Sequence, residues 1–420
     1  MGWSGTLLGR AEIYYAAMHG QYPAREEHCA NHHWHGVRAG CFNGSIDIYS
    51  IHDEMRDQAP VWRSPWGDVF VTRYDLVSAC LVNRQLSHVP PNDRNHASDQ
   101  RSAINEWLMY QEGHAHAAIR QALQQPFVGK GATALEPFVA EAVDLLVSKA
   151  DLAGVVDVVA AFTRAVPERV IGRLLGVPVE DMPRLRAWSA SIRVILDSGF
   201  DDAFGPVSNA AEEMSAYFTD LLRDLLARGE MPPLLVGLPP LVDKLGLETA
   251  GRNIAFLAFA GHETTVHLIG NMLFHLAHAP SQWASLLADR RLAASAVAET
   301  LRLESPVQKI CRWPVKPTEL AGQPIDKDQL IVLLIGAANR DPEQFPQPQV
   351  FDITRHGRQN LAFGRGAHVC IGRTLAEMEG RLLLEAVLRR WRSLEPTIDG
   401  AKWMDNSSIR GLERLSLRLS

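Results

Sequence analysis

No stretch of this chain constrains its fold more than Phe363-Gly364-Arg365-Gly366-Ala367-His368-Val369-Cys370-Ile371-Gly372. Glycines surround a single cysteine, and an apolar pattern of helical period begins directly after it. A thiolate at that place sits at a helix N-terminus, where unpaired N–H groups and the macrodipole favour negative charge. The glycines let the backbone approach something flat and bulky. Thiolate is also one of the few ligands that hold haem iron, where it pushes electron density onto the metal. A second reading stays open at this point: a buried structural cysteine, as most free cysteines are.

Composition narrows the classes around that loop. The 420 residues exceed the usual single domain, and 46% hydrophobic with 21% charged residues is ordinary globular usage. A net charge of −6 gives no reason to expect nucleic acid as a partner. The five cysteines show no regular spacing, which argues against a disulfide scaffold and for a reducing, cytoplasmic location. No stretch approaches the ~20 apolar residues of a membrane span, no signal peptide is visible, and no membrane partner is expected. Residues 1–45 read as a partly irregular N-terminal extension, with His28-Cys29-Ala30-Asn31-His32-His33-Trp34-His35 matching no finger spacing. Residues 46–420 read as one large, mainly α domain with a minor β part. Trp66 to Tyr74 and Pro314 to Ile335 carry the strand and turn chemistry, and Leu135 to Ala150 and Ala210 to Ala227 the helical spacing.

Four further constellations accompany the cysteine loop. Arg252 to His278 has helical period and stops at Pro280, with Ala260-Gly261-His262-Glu263-Thr264-Thr265 in its middle. A mid-helix glycine costs about 1 kcal/mol relative to alanine. Either Gly261 leaves room for a small ligand that the Thr264 hydroxyl can reach, or the helix bends at a packing glycine and a back-bonding threonine. Glu299-Thr300-Leu301-Arg302 places an acid and a base three apart on a helix. His116 and Arg120 lie four apart on another, with His114 as a competing histidine. Ser408-Ile409-Arg410-Gly411-Leu412 forms a turn near the C-terminus, equally readable as pocket wall or as plain structure.

Phe363 to Glu377 resembles the haem-binding loop of the cytochrome P-450 family, Phe-Gly-x-Gly-x-His-x-Cys-x-Gly-x-x-Leu-Ala-Arg, and departs only at Glu377. The segment from Ala260 to Thr264 is similar to the family's Ala-Gly-x-Asp/Glu-Thr groove, and Ala338-Asn339-Arg340-Asp341-Pro342 also matches a familiar bacterial segment. The matches run in the family's order from about Ile46 to Leu415. The resemblance implies the mainly α, triangular P-450 fold and haem b (iron protoporphyrin IX) as cofactor. It implies Cys370 as the iron ligand, with Phe363, Gly372, Ala260 and Gly261 against the haem. His116, Arg120, Arg312 and His368 would hold its propionates, and Glu299, Arg302 and Arg355 would form a structural triad. Thr264 would stabilise activated oxygen, and Glu263 would relay protons to it.

The implied reaction is O₂-dependent hydroxylation, or another oxidation, of a small organic substrate in bacterial natural-product biosynthesis. Oxidative phenol or aryl coupling and desaturation are the alternatives, ahead of a non-catalytic haem sensor or a haem-free protein. Electrons would come from a ferredoxin and an NAD(P)H-dependent ferredoxin reductase, with Arg365, Arg373 and Arg381 as a candidate docking patch. The substrate would be a free small molecule or one carried on a protein. Pocket walls are expected from Val89 to Trp107, around Val194 to Val207, at Leu257 and Ala260, and from Val307 to Ile310. Gln308 and Lys309 hint there at a substrate with acceptor groups.

Overall fold

The computed structural model describes residues 47–63, 68–91, 103–149, 154–197, 204–355, 357 and 359–420. The N-terminal extension with its His28–His35 run lies outside them, as do residues 64–67 of the Trp66 turn and residues 92–102 and 198–203 of the expected pocket walls.

The helices are α1 (Ile48–Gln58), α2 (Tyr74–Val82), α3 (Gly113–Gln124), α4 (Gly129–Lys149), α5 (Ala165–Leu175), α6 (Met182–Asp197), α7 (Phe204–Arg228), α8 (Pro239–Leu245), α9 (Leu247–His278), α10 (Pro280–Ala288), α11 (Ala293–Leu303), α12 (Ile335–Ala338) and α13 (Arg373–Arg390). The strands are β1 (Val61–Arg63), β2 (Val69–Val71), β3 (Leu86–Ser87), β4 (Gly154–Asp157), β5 (Lys309–Pro314), β6 (Thr318–Leu320), β7 (Gln323–Ile325), β8 (Ile331–Leu334), β9 (Leu394–Trp403) and β10 (Leu412–Leu419).

The axis of the molecule is α9. Its 32 residues span about 48 Å at ~1.5 Å per residue. It is apolar on nearly every side, as a helix enclosed by others must be. It ends at Ala279, and Pro280 opens α10, where the missing proline N–H has no helical partner to lose. The helix begins five residues before the expected Arg252, because Leu247 to Gly251 carries little bulky apolar signal. The main core packs around it and draws in α4, α5, α7, α11 and α13.

The β part is a five-stranded sheet in the order β1-β2-β8-β5-β3, a three-stranded sheet β4-β10-β9 and the β6-β7 hairpin. All four residues of β8 are buried, and it pairs parallel with β2 and antiparallel with β5. The strand expected up to Tyr74 ends at Val71. Asp341, distant in sequence, accepts the Tyr74 N–H at 2.8 Å, and α2 starts there instead.

Candidate active site

The cysteine loop is fixed from several directions. Asn339 Oδ1 accepts the Leu361 N–H at 2.7 Å, and Asn360 Nδ2 donates to the Ala298 carbonyl at 3.1 Å. Gly364 and Gly366 take φ of 67° and 75°, a left-handed backbone that side chains disfavour. The Cys370 N–H returns to the Phe363 carbonyl at 2.9 Å. Burial pushes the Cys370 thiol up, while the Gly372 N–H ahead of α13 and the Arg120 and Arg373 charges act in the opposite direction. The side chain is nevertheless open to solvent-sized space. Deep surroundings and an open side together describe a sulfur on the wall of an internal space.

Behind the loop stands the triad. Arg302 makes a fork to Glu299 at 2.8 and 2.7 Å, and Arg355 Nε reaches the same carboxylate at 3.2 Å. Glu299 and Arg302 are buried, so the surface-pair reading of Glu-x-x-Arg falls. Arg302 also donates to the carbonyls of Asn339, Pro348 and Val350, and Arg355 to those of Pro346, Gln347 and Val350. Two side chains thereby hold the whole irregular segment that leads into the cysteine loop.

His116 is buried and His114 exposed, which settles the choice between them in favour of the residue that meets the loop. The His116 ring lies 4.1 Å from that of His368, and His368 stacks on His88 at 3.5 Å. Burial lowers the pKa of His368 to about 3, with His116, Arg312 and Arg120 adding repulsion. Burial likewise lowers Arg312 to about 10. His116 Nε2 and Arg312 Nε are buried without a hydrogen-bond partner among the described residues. Two arginines clustered with neutral histidine donors fit a dianionic group such as the two haem propionates, because charge-assisted bonds are the strong ones. His88 was missed from sequence, since it sits beside a two-residue strand and meets His368 only through the fold.

The middle of α9 supplies the facing chemistry. From Asn253 to Leu273 every residue is buried except Phe256, Ala260, Gly261 and Thr264, which are half-buried and lie toward one side of the helix. Thr264 Oγ1 donates to the Ala260 carbonyl at 3.0 Å, and Thr265 does the same to Gly261. The space at Gly261 belongs to packing: an added Cβ would lie 2.8 Å from Ile171 Cδ1 of α5. The expected room for a small ligand beside Gly261 is therefore filled by that side chain. Glu263 pairs with Arg193 of α6 and lies 3.4 Å from His267 Nε2 and 3.9 Å from His262 Nε2. Burial alone would raise its pKa, but these partners hold the carboxyl well below the usual range. The C-terminal turn packs here too, since a Cβ at Gly411 would meet His267 Nδ1 at 2.0 Å.

Other expectations are corrected. Gln308 is buried and donates to the Tyr49 hydroxyl at 3.1 Å and the Ser305 carbonyl at 2.7 Å, and Lys309 Nζ donates to Ser407 at 2.9 Å. Both side chains serve the fold, so they give no hint about substrate. Arg373 pairs with Glu377 at 3.0 Å, and Arg381 pairs with Glu136 at 2.7 Å and Glu385 at 3.0 Å. Arg365 bonds the Ser78 hydroxyl. Two of the three docking arginines are thus locally neutralised, and the departure at Glu377 is explained as Arg373's partner one turn on. Glu304, unnoticed in the sequence, is a second buried carboxylate, met by Tyr49 at 2.7 Å, His275 at 3.1 Å and Arg410 at 3.2 Å.

An open cysteine ahead of a helix, beside clustered arginine and histidine donors, fits a haem-thiolate class of site on a helix-dominated fold. A family model described as Cytochrome P450 matches residues 242–412. The chain is 33% identical to the cytochrome P450 monooxygenase PikC of Streptomyces venezuelae, over 89% of this chain and 91% of that one. Among solved structures it is similar to P450BioI in complex with an acyl carrier protein bearing hexadec-9Z-enoic acid (TM-score 0.81, 29% identity, 89% and 98% of the two chains). It is also similar to CxnD, the cytochrome P450 for C–S bond formation in chuangxinmycin biosynthesis (TM-score 0.81, 28% identity, 90% and 95%). The chain belongs to the cytochrome P450 family, whose members bind haem b and are monooxygenases. No helix among the described residues is long and apolar enough to cross a membrane.

Proposed function

We propose that this protein hydroxylates a small organic substrate, free or carrier-bound, in bacterial natural-product biosynthesis. The observation that carries this reading is Thr264, an alcohol on the half-open side of α9, next to a Glu263 that is held ionised. The name of PikC as a monooxygenase supports oxygen insertion, and CxnD, which is named for chuangxinmycin biosynthesis, supports a natural-product role. Residues 46–420 would be the catalytic unit and 1–45 an extension of it.

Cys370 would hold the iron, and Arg120, His116, Arg312 and His368 the propionates, with His88 braced against His368. Phe363, Gly372 and Ala260 would line the group. Bound haem b supplies the reduction of O₂ with thiolate electron density behind it. One oxygen atom enters the substrate and the other leaves as water, using two electrons and two protons. Thr264 releases its Ala260 bond and turns its hydroxyl outward as a donor. Glu263 passes protons inward by exchanging partners among Arg193, His267 and His262 rather than by storing one. Electrons arrive from a ferredoxin and its NAD(P)H-dependent reductase, docking without help from the neutralised Arg373 and Arg381.

The test is turnover of candidate secondary metabolites under ¹⁸O₂ with a surrogate ferredoxin and reductase. A product carrying one labelled oxygen atom is expected. Products formed with no label would establish coupling or desaturation instead; CxnD is likewise named for a bond-forming reaction, C–S bond formation.

A further inference from the structure

We propose that the Trp107 indole N–H is a substrate-recognition donor, and that the substrate is bulky and mainly apolar with a carbonyl-type oxygen acceptor lying against an aromatic wall. This rests on the monooxygenase reading and names the substrate class of the same site.

The segment that carries Trp107 is bolted to α9. The Leu108 N–H donates to Asn253 Oδ1 at 2.7 Å, and Asn253 Nδ2 donates back to the Glu106 carbonyl at 3.0 Å. Thr249 Oγ1 donates to the Glu106 carboxylate at 3.1 Å, and Arg252 pairs with the same group. The indole is thereby set beside Phe256 at 5.5 Å and Phe259 at 5.9 Å between centroids. Phe256, Ala260 and Thr264 follow one another at intervals of four, so they share a face of α9. All three are half-buried on a helix that is otherwise enclosed in this region. Phe256 to Thr264 is about 12 Å along the axis. The aromatic group therefore begins on the stripe that carries the reacting alcohol and extends to one end of it.

Trp107 is 2% exposed, and its Nε1 has no hydrogen-bond partner among the described residues. A buried N–H left unmatched is unfavourable, and tryptophan is usually paired when enclosed. An acceptor brought by the substrate matches it, while the rings of Phe256 and Phe259 take up the apolar body. A site built to satisfy such a donor discriminates strongly against analogues lacking the acceptor.

The experiment titrates the holoenzyme with N-arylimidazoles, whose imidazole nitrogen binds the haem iron and shifts the Soret band. The aryl groups carry a ketone at increasing reach, each paired with its alkyl isostere. In the wild type the ketone should bind about tenfold tighter than its isostere at one or more lengths. In Trp107→Phe that preference should vanish while the alkyl probes keep their affinity within about twofold. Should Trp107→Phe fail to retain haem, β-(3-benzothienyl)alanine at position 107 keeps the ring shape and lacks the N–H. No ketone preference at any reach, or a preference that survives either replacement, overturns the proposal. Absence of any Soret band in the purified wild type would instead sink the underlying haem reading.

Discussion

The floor around Cys370 and the wall formed by α9 both place charges in the protein interior, but they fix them by different means. At the floor, Glu299 and Arg302 are almost fully buried, and every strong donor of Arg302 ends on a carboxylate or a carbonyl. At the wall, Glu263 is matched by one arginine from α6, whose side chain is 27% exposed, and by histidines on its own helix. The floor is over-determined and holds one geometry. The wall has exchangeable partners, which suits the proton relay proposed for Glu263.

The largest effect expected from that contrast is at the triad. Arg302→Ala strips the buried Glu299 carboxylate of its forked partner and leaves it, among the described residues, only Arg355 Nε at 3.2 Å and the Asp352 N–H, a change that costs about 3–5 kcal/mol. The variant should purify with little haem and a much lower urea midpoint. Arg302→Lys should restore little, since an ammonium lacks the planar fork. Arg193→Gln at the wall should retain haem and lose under about 1 kcal/mol, because the pair is partly solvated. Equal destabilisation by Arg302→Ala and Arg193→Gln would abolish the distinction between floor and wall.

Next in size is Thr264→Ala. It removes a hydroxyl whose hydrogen bond among the described residues runs along its own helix, so the urea midpoint should hold within about 0.5 kcal/mol. Peroxide release per NAD(P)H should rise severalfold as product falls. Unchanged coupling would reduce Thr264 to an ordinary helix residue.

The last effect concerns acid and lies outside both floor and wall. Burial, with Arg56 and Arg340 nearby, lowers the pKa of His52 to about 3. The unfolded chain, near 6.5, binds the proton first, so the stability from a neutral His52 is complete above pH 6.5. It is lost as pH falls from there toward 3, by up to about 1.4 kcal/mol per pH unit. Glu304 acts in the same direction but further into acid: its partners hold it below the usual carboxylate range, so its contribution is complete above that range and is lost only as pH falls through it. Between pH 6.5 and 4.5 the urea midpoint of His52→Leu should therefore fall less than that of the wild type. Parallel slopes would remove His52 as the acid-sensitive group.

The same contrast decides what could be read from the sequence. The cysteine loop, Glu299-x-x-Arg302 and His116-x-x-x-Arg120 are short segments whose spacing carries their geometry, and the structure brings each together. The pair Arg373–Glu377 was equally local and readable. His88 on His368, Arg193 on Glu263 and the partners of Glu304 join positions far apart in the chain, where no periodicity marks them. Gly261 shows a different limit: its place in the motif was legible, but its neighbour Ile171 comes from α5 and gives the glycine a packing role. Gln308 and Lys309 looked like pocket residues because burial of their polar ends against Tyr49 and Ser407 depends on the fold of the N- and C-terminal segments.

The most direct test of the central claim is the absorption spectrum of the reduced, carbon monoxide-treated holoprotein, wild type beside Cys370→Ala. A strongly red-shifted Soret band in the wild type that is absent from Cys370→Ala is predicted. The same band in both proteins, or an unshifted histidine-type carbonyl band in the wild type, would contradict Cys370 as the iron ligand.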